Sequence, residues 1–321
     1  MCVQGIRVGD LTTTSLCGGV FVSTLTPFDE TGAVLCEPIT DQARRLSWID
    51  DVLGIAVNTR VRERHILTLN ERLDIIRCTA KGLKPNQILL ACVGTLEETI
   101  LEEVIACRTA GAHAVITFPA PTTTEACFKT RMAKLAGLLD RLALPVIVAL
   151  SEGATRWAGR REEITTLALQ SDRIVGFDMG ADDNVRRYDQ DYYALKALDR
   201  PLACLPSSEG ALFHNLNTGG DGVLSSLAYI APHEVAALYR ATRAGDFPLA
   251  QAIHNRLAPL VCLLEGHDTT TRERLYREAA HLRGLLASPD ARDLRAPLNP
   301  DLQTRLHTTL DTIALKPISW V

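Results

Sequence analysis

Hydrophobic positions fall into eight short runs separated by amphipathic stretches: residues 20–25, 52–57, 87–93, 113–118, 145–150, 173–177, 201–205 and 221–226. Each run is continuous and rich in β-branched residues rather than alternating, the pattern of parallel strands covered on both faces. The stretches between them repeat apolar positions at helical spacing and are long enough to serve as crossovers. Eight strand-helix units within the first 245 residues predict a (β/α)8 barrel, the TIM-barrel architecture. An open doubly wound sheet is disfavoured, because the first strand runs into Thr26-Pro27-Phe28 and no glycine-rich dinucleotide or Walker turn occurs.

Three Thr-x-x-Glu boxes mark helix starts, at Thr68 with Glu71, Thr95 with Glu98 and Thr122 with Glu125. Beyond the eighth strand, Pro232 opens a helix and Gly245 closes it. A further helix presents Ile253, Leu257, Leu260, Val261 and Leu264 on one face, with a kink expected at Pro259. Residues 268–287 and 299–314 also read as helices. The expected organisation is an N-terminal arm (1–18), the barrel (19–245) and a C-terminal helical region (246–321).

The 321 residues are 46% hydrophobic and 22% charged, a globular composition. A net charge of −4 gives no electrostatic reason to expect nucleic acid or an anionic membrane surface. No apolar run reaches the roughly 20 residues of a membrane span, and residues 1–19 lack a leader's apolar core, so a cytoplasmic protein is expected. The nine cysteines contain no C-x-x-C pair and read as reduced, mostly buried small hydrophobes. The eight histidines show no zinc-ligand spacing, and no metal or cofactor is expected.

Several phrases, in order, resemble the dihydrodipicolinate synthase / N-acetylneuraminate lyase family. They are Thr26-Pro27-Phe28, Gly54-Ile55, Val57-Asn58, Leu67 to Glu71, Ala110-Gly111-Ala112, Pro119, Leu144-Pro145, Ile174-Val175-Gly176, Gly220-Asp221-Gly222-Val223-Leu224-Ser225, Ala231-Pro232, Gly245-Asp246 and Arg295-Ala296-Pro297-Leu298. The resemblance spans about residues 19–312. It implies a pyruvate-dependent class I aldolase or hydro-lyase fold, a small carboxylate-like ligand and self-association as dimers or tetramers.

The family's chemistry rests on a Schiff-base lysine at the end of the sixth strand. Here the phrase is Gly176-Phe177-Asp178-Met179, and a carboxylate cannot form an imine. The six lysines (Lys81, Lys84, Lys129, Lys134, Lys196, Lys316) all fall in helical segments, at helix ends or in the tail. The family's tyrosine phrase after strand 4 is Pro119-Ala120-Pro121. Its carboxylate-binding loop after strand 2 is Thr59-Arg60-Val61-Arg62-Glu63, and its arginine phrase after strand 5 is Ala149 to Thr155 with Arg156 nearby.

Asp178 is the first acid/base candidate, with an ion pair to an arginine as its structural alternative. His65 is the second, because histidine titrates near neutrality. Arg60 and Arg62 are candidate anion clamps, with Glu63, Glu152 and Arg156 as further substrate-binding candidates. Glu63 also fits a purely architectural role. Gly219, Gly220 and Gly222 are read as close-packing residues before a phosphate cradle. Three functions stay open: a divergent lyase on a small oxo or hydroxy acid, a catalytically silent relative that binds a ligand or a partner protein, and a metal-assisted lyase using Asp178 with Glu63 or Glu152.

Overall fold

A computed structural model describes residues 11–59, 61–118, 128–150, 161–180, 183–294 and 296–318. All eight predicted strands are present: β1 (Val20–Ser23), β2 (Val52–Val57), β3 (Ile88–Thr95), β4 (Ala114–Phe118), β5 (Val146–Ala149), β6 (Ile174–Asp178), β7 (Ala203–Leu205) and β8 (Val223–Ser225). They pair in parallel in the order β7-β6-β5-β4-β3-β2-β1-β8. The seam between β7 and β8 is bridged by Asp221 N–H to the Cys204 carbonyl and Leu224 N–H to the Pro206 carbonyl, both 3.0 Å. The sheet therefore closes into the expected barrel, which supplies partners for strand edges an open sheet would leave bare.

The helices between strands are α1 (Cys36–Leu46), the short α2 (Val61–Ile66), α3 (Leu69–Gly82), α4 (Ile100–Ala110), α5 (Phe128–Asp140), α6 (Arg161–Gln170), α7 (Val185–Lys196) and α8 (Leu212–Thr218). After β8 come α9 (Leu227–Ile230), α10 (Pro232–Arg243), α11 (Phe247–Glu265), α12 (Thr269–Leu282) and α13 (Pro300–Thr312). Pro232 stands in the first turn of α10, Gly245 follows that helix at φ 73°, and α11 continues through Pro259. One apolar layer lies between strands and helices. A second fills the barrel itself with Phe21, Leu90, Ile116, Ile147, Leu205 and Leu224 among others.

A 3-10 turn at Thr13–Leu16 closes the N-terminal end of the barrel. Leu16 is fully buried in the interior layer, and the Thr13 hydroxyl donates to the Val175 carbonyl at 3.0 Å. The glycines before β8 serve that closure. A Cβ on Gly222 would stand 2.6 Å from the Leu16 carbonyl oxygen, and one on Gly220 2.5 Å from the Pro206 ring, so close packing explains both.

The capping boxes divide. Thr68 and Glu71 form theirs reciprocally: the Glu71 amide donates to the Thr68 hydroxyl at 3.3 Å and the Thr68 amide to the Glu71 carboxylate at 2.8 Å. Thr95 does not cap a helix. β3 extends to include it, the following Leu96 amide donates to the Phe118 carbonyl at 2.7 Å, and α4 begins only at Ile100. Glu98 instead pairs with Arg141 at 2.9 Å. Thr122 and Glu125 lie outside the described residues.

Candidate active site at the barrel mouth

The C-terminal ends of the strands surround a mouth lined by short side chains. Ala56, Cys92 and Ala149 belong to the interior layer. Asp178 ends β6 between Ala149 of β5 and Leu205 of β7. Phe177 turns outward into the strand-helix layer, which sends its neighbour Asp178 to the inner face.

One oxygen of Asp178 accepts from the Ser207 hydroxyl and from the Gly180 amide at 3.1 Å. Gly180, at φ 90°, supplies the left-handed turn that folds its amide back onto the carboxylate. Desolvation inside the barrel raises the Asp178 pKa above the usual aspartate range, and the two hydrogen bonds oppose that shift without cancelling it. Among the described residues no cation pairs with Asp178, so the arginine ion pair weighed as its structural role is not formed there.

Arg64 of α2 brings a positive charge beside the ends of β3 and β4. Its guanidinium carbon lies 6.0 Å from the Phe118 ring centroid. Its Nη1 stands 3.6 Å from where a Gly94 Cβ would be, so a side chain at position 94 would crowd it. The Cys92 thiol, pushed up to about 12 by burial, feels Arg64 and Asp178 with opposite effects. The same Gly94 Cβ position lies 3.3 Å from Ile100 and 4.0 Å from the Glu103 carboxylate, so Arg64 borders α4 on the β3 side, while Asp178 ends β6. The Ser23 and Thr59 hydroxyls, hydrogen-bonded at 2.5 Å, add a polar patch at the ends of β1 and β2. Next to Thr59, Asn58 holds a left-handed conformation (φ 59°) and keeps a buried Oδ1 without a partner.

The remaining candidates separate. Glu63 does not face a ligand: its carboxylate accepts from Arg277 at 2.8 Å and from the Thr26 hydroxyl at 2.8 Å and amide at 3.2 Å. Arg277 is wholly buried and also donates to the carbonyls of Thr26, Pro289 and Asp290. That geometry matches an architectural role, with the carboxylate turned to Arg277 and Thr26. His65 is exposed on α2, and no hydrogen bond joins it to Asp178. Arg60, Glu152 and Arg156 lie outside the described residues, as does the side chain of Arg62.

Ser207, Arg64 and Glu209 are the groups that sequence reasoning passed over. Ser207 was within reach, since it stands two residues beyond inward-facing Leu205. Glu209 is buried and accepts from the Ser225 hydroxyl (2.9 Å) and the amides of Ser226 (2.6 Å) and Leu227 (3.0 Å). Desolvation raises it to about 7 against those hydrogen bonds. Its bonds tie the β7 loop to the start of α9, which is a structural task.

Among the described residues no lysine is bonded to Asp178. Lys196 binds Asp221 at 2.6 Å and the Leu202 carbonyl at 2.9 Å, ahead of β7 and β8, and Lys84 stacks on Trp48. The side chain of Lys129 lies outside the described residues.

Comparison with known proteins places this geometry. Residues 16–313 match the family described as the dihydrodipicolinate synthetase family. A Kineococcus radiotolerans protein named 4-hydroxy-tetrahydrodipicolinate synthase is 27% identical, over 94% of each chain. A Haloarcula marismortui protein of the same name is 25% identical over 92% of each. The crystal structure of dihydrodipicolinate synthase from Thermotoga maritima superposes with a TM-score of 0.83 at 19% identity, covering 94% of this chain and 99% of that one.

Proposed function

Because the chain belongs to the dihydrodipicolinate synthetase family, we propose that its barrel mouth binds a small 2-oxo or 2-hydroxy acid and moves a proton on it without forming an imine. Asp178, standing where the family resemblance places the Schiff-base lysine, carries the reading. It is a desolvated carboxyl with a raised pKa, oriented by Ser207 and Gly180. Raising an aspartate toward neutrality brings its basicity closer to what proton abstraction next to an oxo group requires.

In this mechanism Arg64 binds the substrate carboxylate, with Arg60 and Arg62 of the same segment as further clamps. Guanidinium suits that task because its planar fork matches a carboxylate. The bound anion lies between Arg64 and Asp178, and Asp178 takes a proton from the carbon next to the oxo group, or from a hydroxyl in the lyase direction. Arg64 then offsets the enolate charge that develops. Ser207 keeps its hydrogen bond to the carboxyl throughout and fixes its orientation.

The metal-assisted alternative loses one of its oxygen ligands, because Glu63 is committed to Arg277. His65 acts in the reading only as a secondary proton carrier, and Glu152 and Arg156 as further contacts to the acid. Self-association as a dimer or a pair of dimers is part of the same proposal and is read by light scattering.

The test is deuterium uptake from D2O into pyruvate and a panel of 2-oxo and 2-hydroxy acids, run beside borohydride reduction and intact-mass measurement. Expected are exchange on at least one acid, no borohydride adduct, and loss of roughly 10²–10⁴-fold in rate on Asp178→Asn. A stoichiometric lysine adduct would return the protein to imine chemistry. Binding without exchange across the panel would favour the catalytically silent reading, and absence of both binding and exchange would overturn the proposal.

A further inference from the structure

Helices α1 and α3 pack unusually closely, and the contact brings two thiols together. Gly82 of α3 makes the approach possible: a Cβ there would lie 2.3 Å from the Thr40 carbonyl oxygen and 2.7 Å from the Ala43 Cβ. One turn earlier on each helix, the Thr40 hydroxyl lies 3.2 Å from the Cys36 carbonyl oxygen and 2.9 Å from that of Cys78. One hydroxyl bridging both carbonyls holds the two cysteine backbones about 6 Å apart or less at those oxygens. A disulfide between them requires Cα atoms roughly 4.4–6.8 Å apart. Burial raises the Cys78 thiol, and the neighbouring Cys36 thiol raises it further. Cys36 is exposed in the first turn of α1, whereas Cys78 is buried.

We propose that Cys36 and Cys78 form a redox-modifiable pair, in which a low-molecular-weight disulfide oxidises the two thiols to an intramolecular disulfide that ties α1 to α3. Exposure assigns the order of events. The Cys36 thiolate attacks one sulfur of the small disulfide, whose sulfur-sulfur bond breaks to release one thiol carrying the Cys36 proton. The Cys78 sulfur then attacks the Cys36 sulfur and displaces the second small thiol, which carries the Cys78 proton. Two protein thiols are oxidised and one small disulfide is reduced to two thiols. The slow step is the second, because burial holds the Cys78 thiol at about 12 and little of it is thiolate near neutrality.

Cys262 supplies the control, since it is exposed on α11, far along the chain from this pair. The folded full chain is incubated with oxidised glutathione, acid-quenched, alkylated, and analysed by intact mass and peptide mapping. Expected are glutathione on Cys262 and a linked Cys36–Cys78 peptide lacking two hydrogens, with a melting temperature raised by about 5 °C from closure of the chain between them. Cys78→Ser should convert Cys36 into a stable glutathione adduct like that of Cys262. A wild-type protein that keeps glutathione on Cys36 as it does on Cys262, with no linked peptide, would overturn the proposal even if both serine variants failed to fold.

Discussion

Replacing Arg277 with methionine tests whether the C-terminal helices hold the loop that positions Arg64. The substitution keeps most of the buried stem and removes a guanidinium that is fully enclosed and bonded to Glu63, Thr26, Pro289 and Asp290. What remains is a carboxylate buried beside the Thr26 amide and hydroxyl with its cation gone. Breaking a buried pair from one side destabilises by about 3–5 kcal/mol, because the surviving charge stays buried without its guanidinium. Unfolding entropy near 2.1 cal/mol/K per residue gives this 321-residue chain about 0.7 kcal/mol/K at its midpoint, so the melting temperature should fall by about 4–7 °C. Adding Glu63→Gln removes the stranded charge while leaving an oxygen for Thr26 to bond, and the double variant should recover part of the loss. Calorimetry on the four proteins of this cycle is the assay. A drop of less than about 1 °C in Arg277→Met, or a double variant whose loss equals the sum of the two single losses, would refute the reasoning, since either result means the two groups are not coupled.

Glu209 sets a second expectation, in pH. Its folded pKa of about 7 lies above the ordinary glutamate value of 4.5, so the folded protein binds an extra proton between them. Its contribution is full below about 4.5 and is lost as pH rises through 7, roughly 3 kcal/mol in all; Glu209→Gln should flatten that part of a urea-stability profile, and an unchanged slope would assign it elsewhere. A third concerns position 178: Asp178→Lys should create a borohydride-trappable imine with pyruvate that peptide mapping places on residue 178. Failure of a folded Asp178→Lys protein to trap pyruvate would show that this position does not face the oxo-acid site.

The barrel was legible because its determinants are local. Continuous apolar runs mark strands with two covered faces, and Pro232 and Gly245 bound a helix through backbone chemistry that needs no tertiary partner. Thr95 shows where local chemistry yields. The same Thr-x-x-Glu spelling that caps α3 at Thr68 is drawn into the sheet at Thr95, because pairing with Phe118 extends β3 through it. The candidate site was legible to the extent that strand alternation reaches. Asp178 ends a strand, so its inward direction follows from the run before it, and Ser207 follows from Leu205 by the same step of two. The α2 segment has no such rule. Successive helical residues point about 100° apart, so Glu63, Arg64 and His65 diverge: one is buried against Arg277, one lies beside Phe118 and one is exposed to solvent. Glu63 is held by Arg277, 214 residues away in the chain, and no pattern within the loop encodes that contact. The arginines around residue 60 therefore mark a class of chemistry to test, an anionic ligand, while the directions of Glu63, Arg64 and His65 belong to the packing of α12 against the barrel.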